Sequence, residues 1–273
     1  MNDDFELTAE NYYSDEANWK YMSVHQYLDF EGHMGVKGCE ERALARLKGE
    51  YKEEPTLAQL VGSYVDAHFE GTLPQFKIEH PECFTQKGEL KAAFKQAEKM
   101  IARCEADEFF MQTMSGEKQK IMTGYLFGCE WKIKIDSYLP DVAIVDLKTS
   151  SNIHESWTVK DYGKVSFVEY WGYTLQGAIY QKIVELNTGK KLPFYISVVT
   201  KEDSPEIAVI GIDQMTLDHA LNEIEMHMGS VLAVKNGEAE PIPCGKCDRC
   251  KATIPLTGPI SMNELFFDTG ELR

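Results

Sequence analysis

Residues 131–150 read WKIKIDSYLPDVAIVDLKTS, and the two halves of that stretch decide the fold. In the first half Trp131, Ile133 and Ile135 alternate with Lys132, Lys134 and Asp136, the period of two expected of a strand with one buried face. Pro140 and Asp141 mark a turn. The second half, VAIVDLK at 142–148, is a nearly continuous apolar run, which suits a central strand buried on both faces. Asp146 and Lys148 stand inside that run, two residues apart and so on one face. A hairpin across the turn would bring Asp136 near Asp146. Two carboxylates converging at a strand edge can hold Mg²⁺ or Mn²⁺, hard cations that take oxygen ligands, and the backbone carbonyl of Leu147 can add to them. A lysine beside such a metal can orient or deprotonate an attacking water and stabilise charge developing on a phosphate. Asp-x-Lys alone reads more simply as a surface salt bridge. The apolar setting of VAIVDLKTS and the preceding Asp136 argue against that plainer reading.

Around this pair of strands the periods change. Residues 19–48 read as helical with a break near Gly32, Gly35 and Gly38, and CEERALARL at 39–47 places Ala43, Leu44 and Leu47 on one helical face. Residues 56–69, preceded by Pro55 and closed by Gly71 and Pro74, predict a second helix, and residues 89–105 an amphipathic third. Strands are expected at 120–127, 129–138, 142–148, 194–200 and 206–212, with helices at 170–186 and 215–235. The order implies an α/β (α+β) class: a central mixed sheet flanked by helices. With no internal repeat and no low-complexity linker, one domain spanning 1–273 is expected. It comprises an N-terminal helical part (1–110), a core (111–213) and a C-terminal helix with a cysteine cluster (214–273).

The chain has 273 residues, enough for a sizeable core, and its 43% hydrophobic and 26% charged content is that of an ordinary globular protein. No apolar run approaches the ~18 residues of a membrane span, and the acidic start MNDDFELTAENYYSDE is not a secretory signal. A cytoplasmic protein is the expectation. A net charge of −16 excludes nucleic-acid binding by bulk charge alone, which needs clustered Lys and Arg. It leaves room for a metal-dependent site, because bound cations reverse the local field. Seven cysteines, an odd number, do not suggest a disulfide framework. Cys83, Cys104 and Cys129 read as packing residues. Cys244, Cys247 and Cys250 form a compact set of soft ligands suited to an iron–sulfur cluster or zinc, and a fourth ligand is then required.

Asp136, a turn, and Asp146-Leu147-Lys148-Thr149-Ser150 resemble the PD-(D/E)xK nuclease superfamily, with its restriction-endonuclease-like core. The likeness is greatest to the RecB-like branch that includes RecE, lambda-type exonucleases, AddB and Cas4. Gly62-Ser63-Tyr64-Val65-Asp66 resembles the upstream G-x-x-x-H motif of that branch, with Asp66 where the histidine usually stands. Asp66 would then be a metal ligand. His68, two residues on, faces about 200° away on a helix and reads as a surface histidine. Gln176 to Tyr180, QGAIY, resembles the Q-x-x-x-Y motif, whose helix borders the active site and contacts DNA. The i, i+4 spacing sets both side chains on one helical face. Glu130 stands where relatives often carry a glutamate, on the strand parity of Asp136, and is a secondary metal candidate. Lys134 stands where relatives often have glycine.

The resemblance also implies a place for the fourth thiolate. In the AddB and Cas4 relatives one cysteine lies far upstream and three follow the core, which matches Cys39 with Cys244, Cys247 and Cys250. The implied metal is a [4Fe–4S] cluster ahead of zinc, although the final gap is tighter here than in those relatives. The segment LTAENYYSDEANWKYMSVHQYLDF and the GSYVDAHFEG stretch look most like a nuclease encoded beside a RecT-type annealing protein in prophages. By resemblance the chain would be a Mg²⁺-dependent double-strand DNA exonuclease. It would digest 5′ to 3′ from duplex ends as a ring-like homo-oligomer in a bacterial host, and pass single-stranded DNA to its RecT-type partner. A Cas4-like nuclease trimming DNA for CRISPR adaptation, and a catalytically idle nuclease fold used to bind DNA or protein, are the alternatives.

Overall fold

The computed structural model describes residues 5–255 together with 258, 259, 261 and 262. Helices come first along the chain: α1 (Asp15–Lys20), α2 (Val24–Phe30), α3 (Glu40–Leu47), α4 (Leu57–Glu70), α5 (Leu73–Glu79), α6 (Ala92–Glu105) and α7 (Glu108–Thr113). Strands β1 (Glu117–Leu126), β2 (Cys129–Leu139) and β3 (Ala143–Ser150) follow, then a small hairpin, β4 (Ser156–Val159) and β5 (Gly163–Ser166). Helices α8 (Phe167–Tyr170) and α9 (Tyr173–Thr188) lead to β6 (Phe194–Thr200) and β7 (Ile207–Gly211), and α10 (Gln214–Lys235) and α11 (Asp248–Thr253) follow.

The main sheet has the order β1-β2-β3-β6-β7. Its neighbours are antiparallel except β3 and β6, which run parallel from Ile144↔Phe194 to Ser150↔Thr200. A parallel pair needs a crossover, and α9 supplies it. The middle strand β3 is buried along Ala143, Ile144, Val145, Asp146 and Leu147, all at most 3% exposed, as its unbroken apolar run requires. One face packs Ile144 with α2, α3, α9 and α10. The other packs Ala143, Val145 and Leu147 with α4, α6 and α7. The result is a mixed sheet between two layers of helices, the restriction-endonuclease-like α+β architecture. Ala43, Leu44 and Leu47 are the buried side of α3, as their spacing predicts.

Several boundaries differ from the sequence reading, each for a local reason. The expected helix over 19–48 is three short helices. It breaks after Lys20, where Met22 exchanges backbone hydrogen bonds with Glu130 and Lys132 of β2, and again through Gly32, Gly35 and Gly38. Gly71, at φ 82°, caps α4 in the left-handed conformation that favours glycine. Pro74 opens α5 in its first turn, where a missing N–H costs nothing, instead of only ending the helix before it. The helix expected over 170–186 is divided at Gly172 (φ 71°) into α8 and α9. The hairpin β4–β5 went unforeseen because four-residue strands carry too little alternation to read.

Two glycines set distances that matter for the site. A Cβ on Gly177 of α9 would meet Phe194 Cδ1 at 2.8 Å, so its absence lets α9 lie close on β6. A Cβ on Gly62 of α4 would lie 3.1 Å from Thr149 Oγ1, so α4 crosses tightly over the end of β3. Among the described residues no helix is long and apolar enough to cross a membrane.

Candidate active site and cysteine cluster

The register of β2 on β3 pairs Ser137 with Val145 and, if continued, would set Asp136 opposite Asp146. The ladder stops there. Instead of joining it, the Leu147 N–H donates to Asp136 Oδ2 at 2.8 Å. On the other side, across the β1–β2 hairpin, Gln119 Nε2 donates to Asp136 Oδ1 at 3.2 Å. Gln119 sits at φ 51°, a left-handed conformation uncommon for a residue with a side chain, and its Oε1 is buried without a hydrogen-bond partner. Asp146, 2% exposed, accepts from Gln176 Nε2 of α9 at 2.6 Å, and its other oxygen pairs with Lys148 Nζ at 2.5 Å. Lys148 Nζ also lies 5.1 Å from the centre of the Tyr173 ring. One turn along α9 from Gln176, the Tyr180 hydroxyl donates to the Lys134 carbonyl at 3.2 Å.

Asp66, delivered by α4, completes the cluster. It lines one cavity of about 570 Å³ with Asp136, Asp146, Leu147, Lys148, Gln176 and Tyr180. A second cavity of about 1180 Å³ opens from the same cluster towards Trp171, Lys37 and Lys201, and shares Asp66, Leu147, Lys148 and Gln176 with the first. The structure therefore brings together every residue expected at the metal site except Glu130. That residue is six positions before Asp136 on β2, about 20 Å along a strand, so equal parity does not bring it near. Its carbonyl instead accepts from Met22 N at 2.7 Å. His68 does not line either cavity. Its Nε2 meets Glu105 Oε1 at 2.9 Å on the α6 side of the helix.

Crowded carboxylates in a poorly hydrated place hold protons more tightly. Burial, and then the charge of Asp146, push Asp136 up from the ordinary 3.8 to about 6 against the pull of Lys148. Burial, and then Asp136, push Asp66 well above its usual range. Burial alone would lower the Lys148 pKa, but Asp146, Tyr173 and Asp136 outweigh it and raise it, so Lys148 is held as a cation. Glu70 was not anticipated. It lies one helical turn after Asp66, lines the same cavity and is likewise raised, by burial first and by Asp136 against Lys134. Its i+4 spacing from Asp66 was the available signal. Gln119, His25 and Tyr173 also escaped the sequence reading. Gln119 faces Asp136 only through the hairpin register, and His25, which lines both cavities, carries no local signature.

The donor chemistry is that of a divalent-cation site: hard carboxylate oxygens of Asp66, Asp136 and Asp146 line one cavity, and the buried Gln119 Oε1 has no protein partner. Among the described residues only the four cysteines already draw their ligand atoms within 4.8 Å of one another, so the carboxylates would have to close on the ion.

In a second cluster, Cys39, Cys244, Cys247 and Cys250 place their sulfurs all within 4.8 Å of one another. Cys39 to Cys250 is 3.5 Å, Cys39 to Cys247 3.7 Å and Cys244 to Cys250 3.9 Å. Cys39 caps the start of α3 and Cys247 that of α11, so the set joins α3 to α11. Arg249 adds ion pairs to Glu41 and Glu50, at 3.3 and 3.4 Å. Burial pushes the Cys39 thiol up to about 12. For Cys244 burial works the same way, but the Lys246 and Cys247 backbone N–H groups outweigh it and bring it down to about 6. The four soft ligands fit a metal. Cys83 and Cys104 are packed in the core, as expected of them.

A strand-borne Asp, an Asp-x-Lys on its neighbour, a helix-borne acid and a glutamine-bearing helix lining one cavity form the residue pattern of the PD-(D/E)xK superfamily. The chain belongs to the family described as a PDDEXK-like domain of unknown function (DUF3799), whose model matches residues 23–253. Its fold is similar to a crystal structure from Eubacterium rectale described as a "putative exonuclease". The two are 55% identical over 96% of this chain and 98% of that one, with a TM-score of 0.94. A second structure, SSO0001, is 14% identical over 69% of this chain and 84% of that one, and its TM-score of 0.28 carries no argument. No curated protein matches the chain.

The raised carboxyls give the site a pH signature. A carboxyl whose folded pKa is raised stabilises the fold below its ordinary pKa and loses that contribution as pH climbs through the folded value. For Asp136 the window runs from 3.8 to about 6. In chelator, the unfolding free energy of the wild type relative to Asp136→Asn is therefore expected to fall as pH rises across that window and to level off above it. Urea titrations at successive pH values check this, and a difference independent of pH would contradict it.

Proposed function

We propose that this protein is a Mg²⁺-dependent double-strand DNA exonuclease. The observation that carries the reading is the meeting of Asp66, Asp136, Asp146 and Lys148 in one cavity, with Gln176 and Tyr180 of α9 along its wall. Asp136, Asp146 and Asp66, with the Leu147 carbonyl, would hold the cation, which when bound supplies positive charge against the charge developing on the phosphate. Gln176 fixes one oxygen of Asp146 and leaves the other to Lys148. Lys148, held as a cation, donates: it orients the attacking water and steadies the phosphate oxygens. Tyr173 beneath its ammonium limits where Lys148 can point.

The exonuclease class follows the E. rectale relative. The 5′ to 3′ direction, the role in phage-type recombination, the RecT-type annealing partner and a ring-like oligomer rest on the family resemblance of the sequence. For the thiolates we favour zinc over the [4Fe–4S] cluster that the sequence resemblance put first. A tetrahedral ion with arms of about 2.3 Å sets its sulfurs about 3.8 Å apart, near the spacings here, whereas four irons between the thiolates would hold them wider. Either metal would clasp α3 to α11 without touching the carboxylates.

The reading is tested on linear duplex DNA labelled at one end, with and without Mg²⁺. We expect Mg²⁺-dependent loss of linear DNA, survival of closed circles, and a fall of at least about 10²-fold in Lys148→Ala and Asp146→Asn. Equal cutting by Lys148→Ala would remove the lysine from the mechanism, and no cutting in Mg²⁺ or Mn²⁺ would contradict the enzyme reading. Protein purified without oxygen is expected to be colourless and to carry one zinc per chain. A broad absorption near ~400 nm would identify an iron–sulfur cluster instead.

A further inference from the structure

Part of the cavity wall is made by a segment that the carboxylate cluster does not use. Just before α1, Tyr12 and Tyr13 lie against β2 and line the 570 Å³ cavity with Asp136. Tyr12 is buried and anchored. Its carbonyl accepts from Lys132 Nζ, an ammonium that also donates to Asn18 Oδ1 at 2.8 Å and lies 4.6 Å from the Tyr12 ring centre. Lys132 is 2% exposed, so a buried lysine is committed to holding this short segment in place. Tyr13 stands edge-on to Tyr12, with ring centres 5.0 Å apart at 81°, and is 70% exposed.

Lys134 reaches between them. Its Nζ is 4.8 Å from the Tyr13 ring centre and 5.6 Å from that of Tyr12. Among the described residues no carboxylate lies within ion-pair distance of it. Its charge instead pulls on the nearby Glu70 carboxyl, and Lys134 lines the cavity, where a phosphate could meet it. Lys134 and Asp136 are two residues apart on one strand, about 7 Å, so a phosphate at Lys134 would be roughly one nucleotide from a phosphate at the cluster. A cavity of this volume is the size of a small-ligand pocket and takes a nucleotide or two.

We propose that Tyr13 and Lys134 form a subsite for a single DNA strand next to the carboxylate cluster, in which a base stacks on the exposed Tyr13 ring and Lys134 holds the neighbouring phosphate. This rests on the nuclease reading for its ligand class and adds to it. The gripping elements come from the N-terminal segment and from β2. Aromatic stacking with an adjacent cation is the general means of holding single strands without reading their sequence.

The test is fluorescence anisotropy of a labelled eight-nucleotide oligo(dT) titrated with the full-length protein in Ca²⁺, with gels to show that the oligonucleotide stays intact. Tyr13→Ala should weaken binding by about tenfold or more, and Tyr13→Phe, which keeps the ring, should bind as the wild type does. Lys134→Gln should weaken binding and reduce the slope of log affinity against log salt by about 0.7, the loss of one phosphate contact. Tyr13 is exposed and Lys134 is outside the core, and circular dichroism checks that each variant is folded. Wild-type affinity and slope in both Tyr13→Ala and Lys134→Gln, or no binding of oligo(dT) by the wild type, would overturn the subsite. If the oligonucleotide binds through these residues but nothing is cut in Mg²⁺ or Mn²⁺, the nuclease reading fails and the subsite stands. Cutting with unaltered binding in both variants gives the reverse.

Discussion

Carboxylates that share a cavity repel one another, and the design of this fold turns on how that repulsion is met. Two unit charges about 4 Å apart cost about 4 kcal/mol at an effective dielectric constant near ~20. Lys148, paired with Asp146, offsets part of this. Leu147 N–H and Gln119 steady Asp136, and Gln176 steadies Asp146. Negative charge still remains in excess, because Asp66 and Glu70 face the same space. The excess can be relieved by taking up protons, which is what the raised Asp136 and Asp66 report, or by binding a cation. A divalent ion is the better answer at neutral pH, since it lets every carboxylate stay ionised and puts the charge where a phosphate can use it.

The rest of the structure serves to hold that cluster against its own repulsion. Its members come from α4, the β2–β3 hairpin and α9, three parts well separated along the chain. Each is fixed by packing that has no part in the chemistry. Gly177 lets α9 lie on β6, so that Gln176 reaches Asp146. Gly62 lets α4 close over the end of β3, so that Asp66 faces the strand acids. The cysteine set and the Arg249 ion pairs fasten α11 to α3, next to α2, whose His25 lines both cavities. Rigid support of this kind is what a preorganised site needs, and it is spread over the whole domain.

Much of this was legible in the sequence because the informative signals were local. The alternation of 131–136, the turn at Pro140 and the apolar run with Asp146 and Lys148 determine a hairpin and its register, and those in turn determine the strand acids. Gln176 and Tyr180 share a helical face by spacing alone. Cys244, Cys247 and Cys250 announce themselves by spacing and chemistry, whereas Cys39 joined them only through the family resemblance. What the sequence hid depends on contacts between distant segments. Glu130 shares the parity of Asp136 but is separated from it by the length of the strand, a distance that parity does not contain. Glu70 was passed over beside the more conspicuous His68, which the fold turns towards Glu105. Tyr12, Tyr13, His25 and Gln119 reach the cavity only because the N-terminal segment and the β1–β2 hairpin fold onto it.

The account stands on the claim that these carboxylates form a cation site whose protons a metal displaces. Calorimetric titration of Mn²⁺ into metal-free protein near pH 6, in two buffers of different ionisation enthalpy, tests it most directly. The prediction is saturable binding at the carboxylates with net proton release, competed by Mg²⁺ and lost in Asp136→Asn and Asp146→Asn variants that remain folded. Binding without proton release, or binding that survives both substitutions, would contradict it.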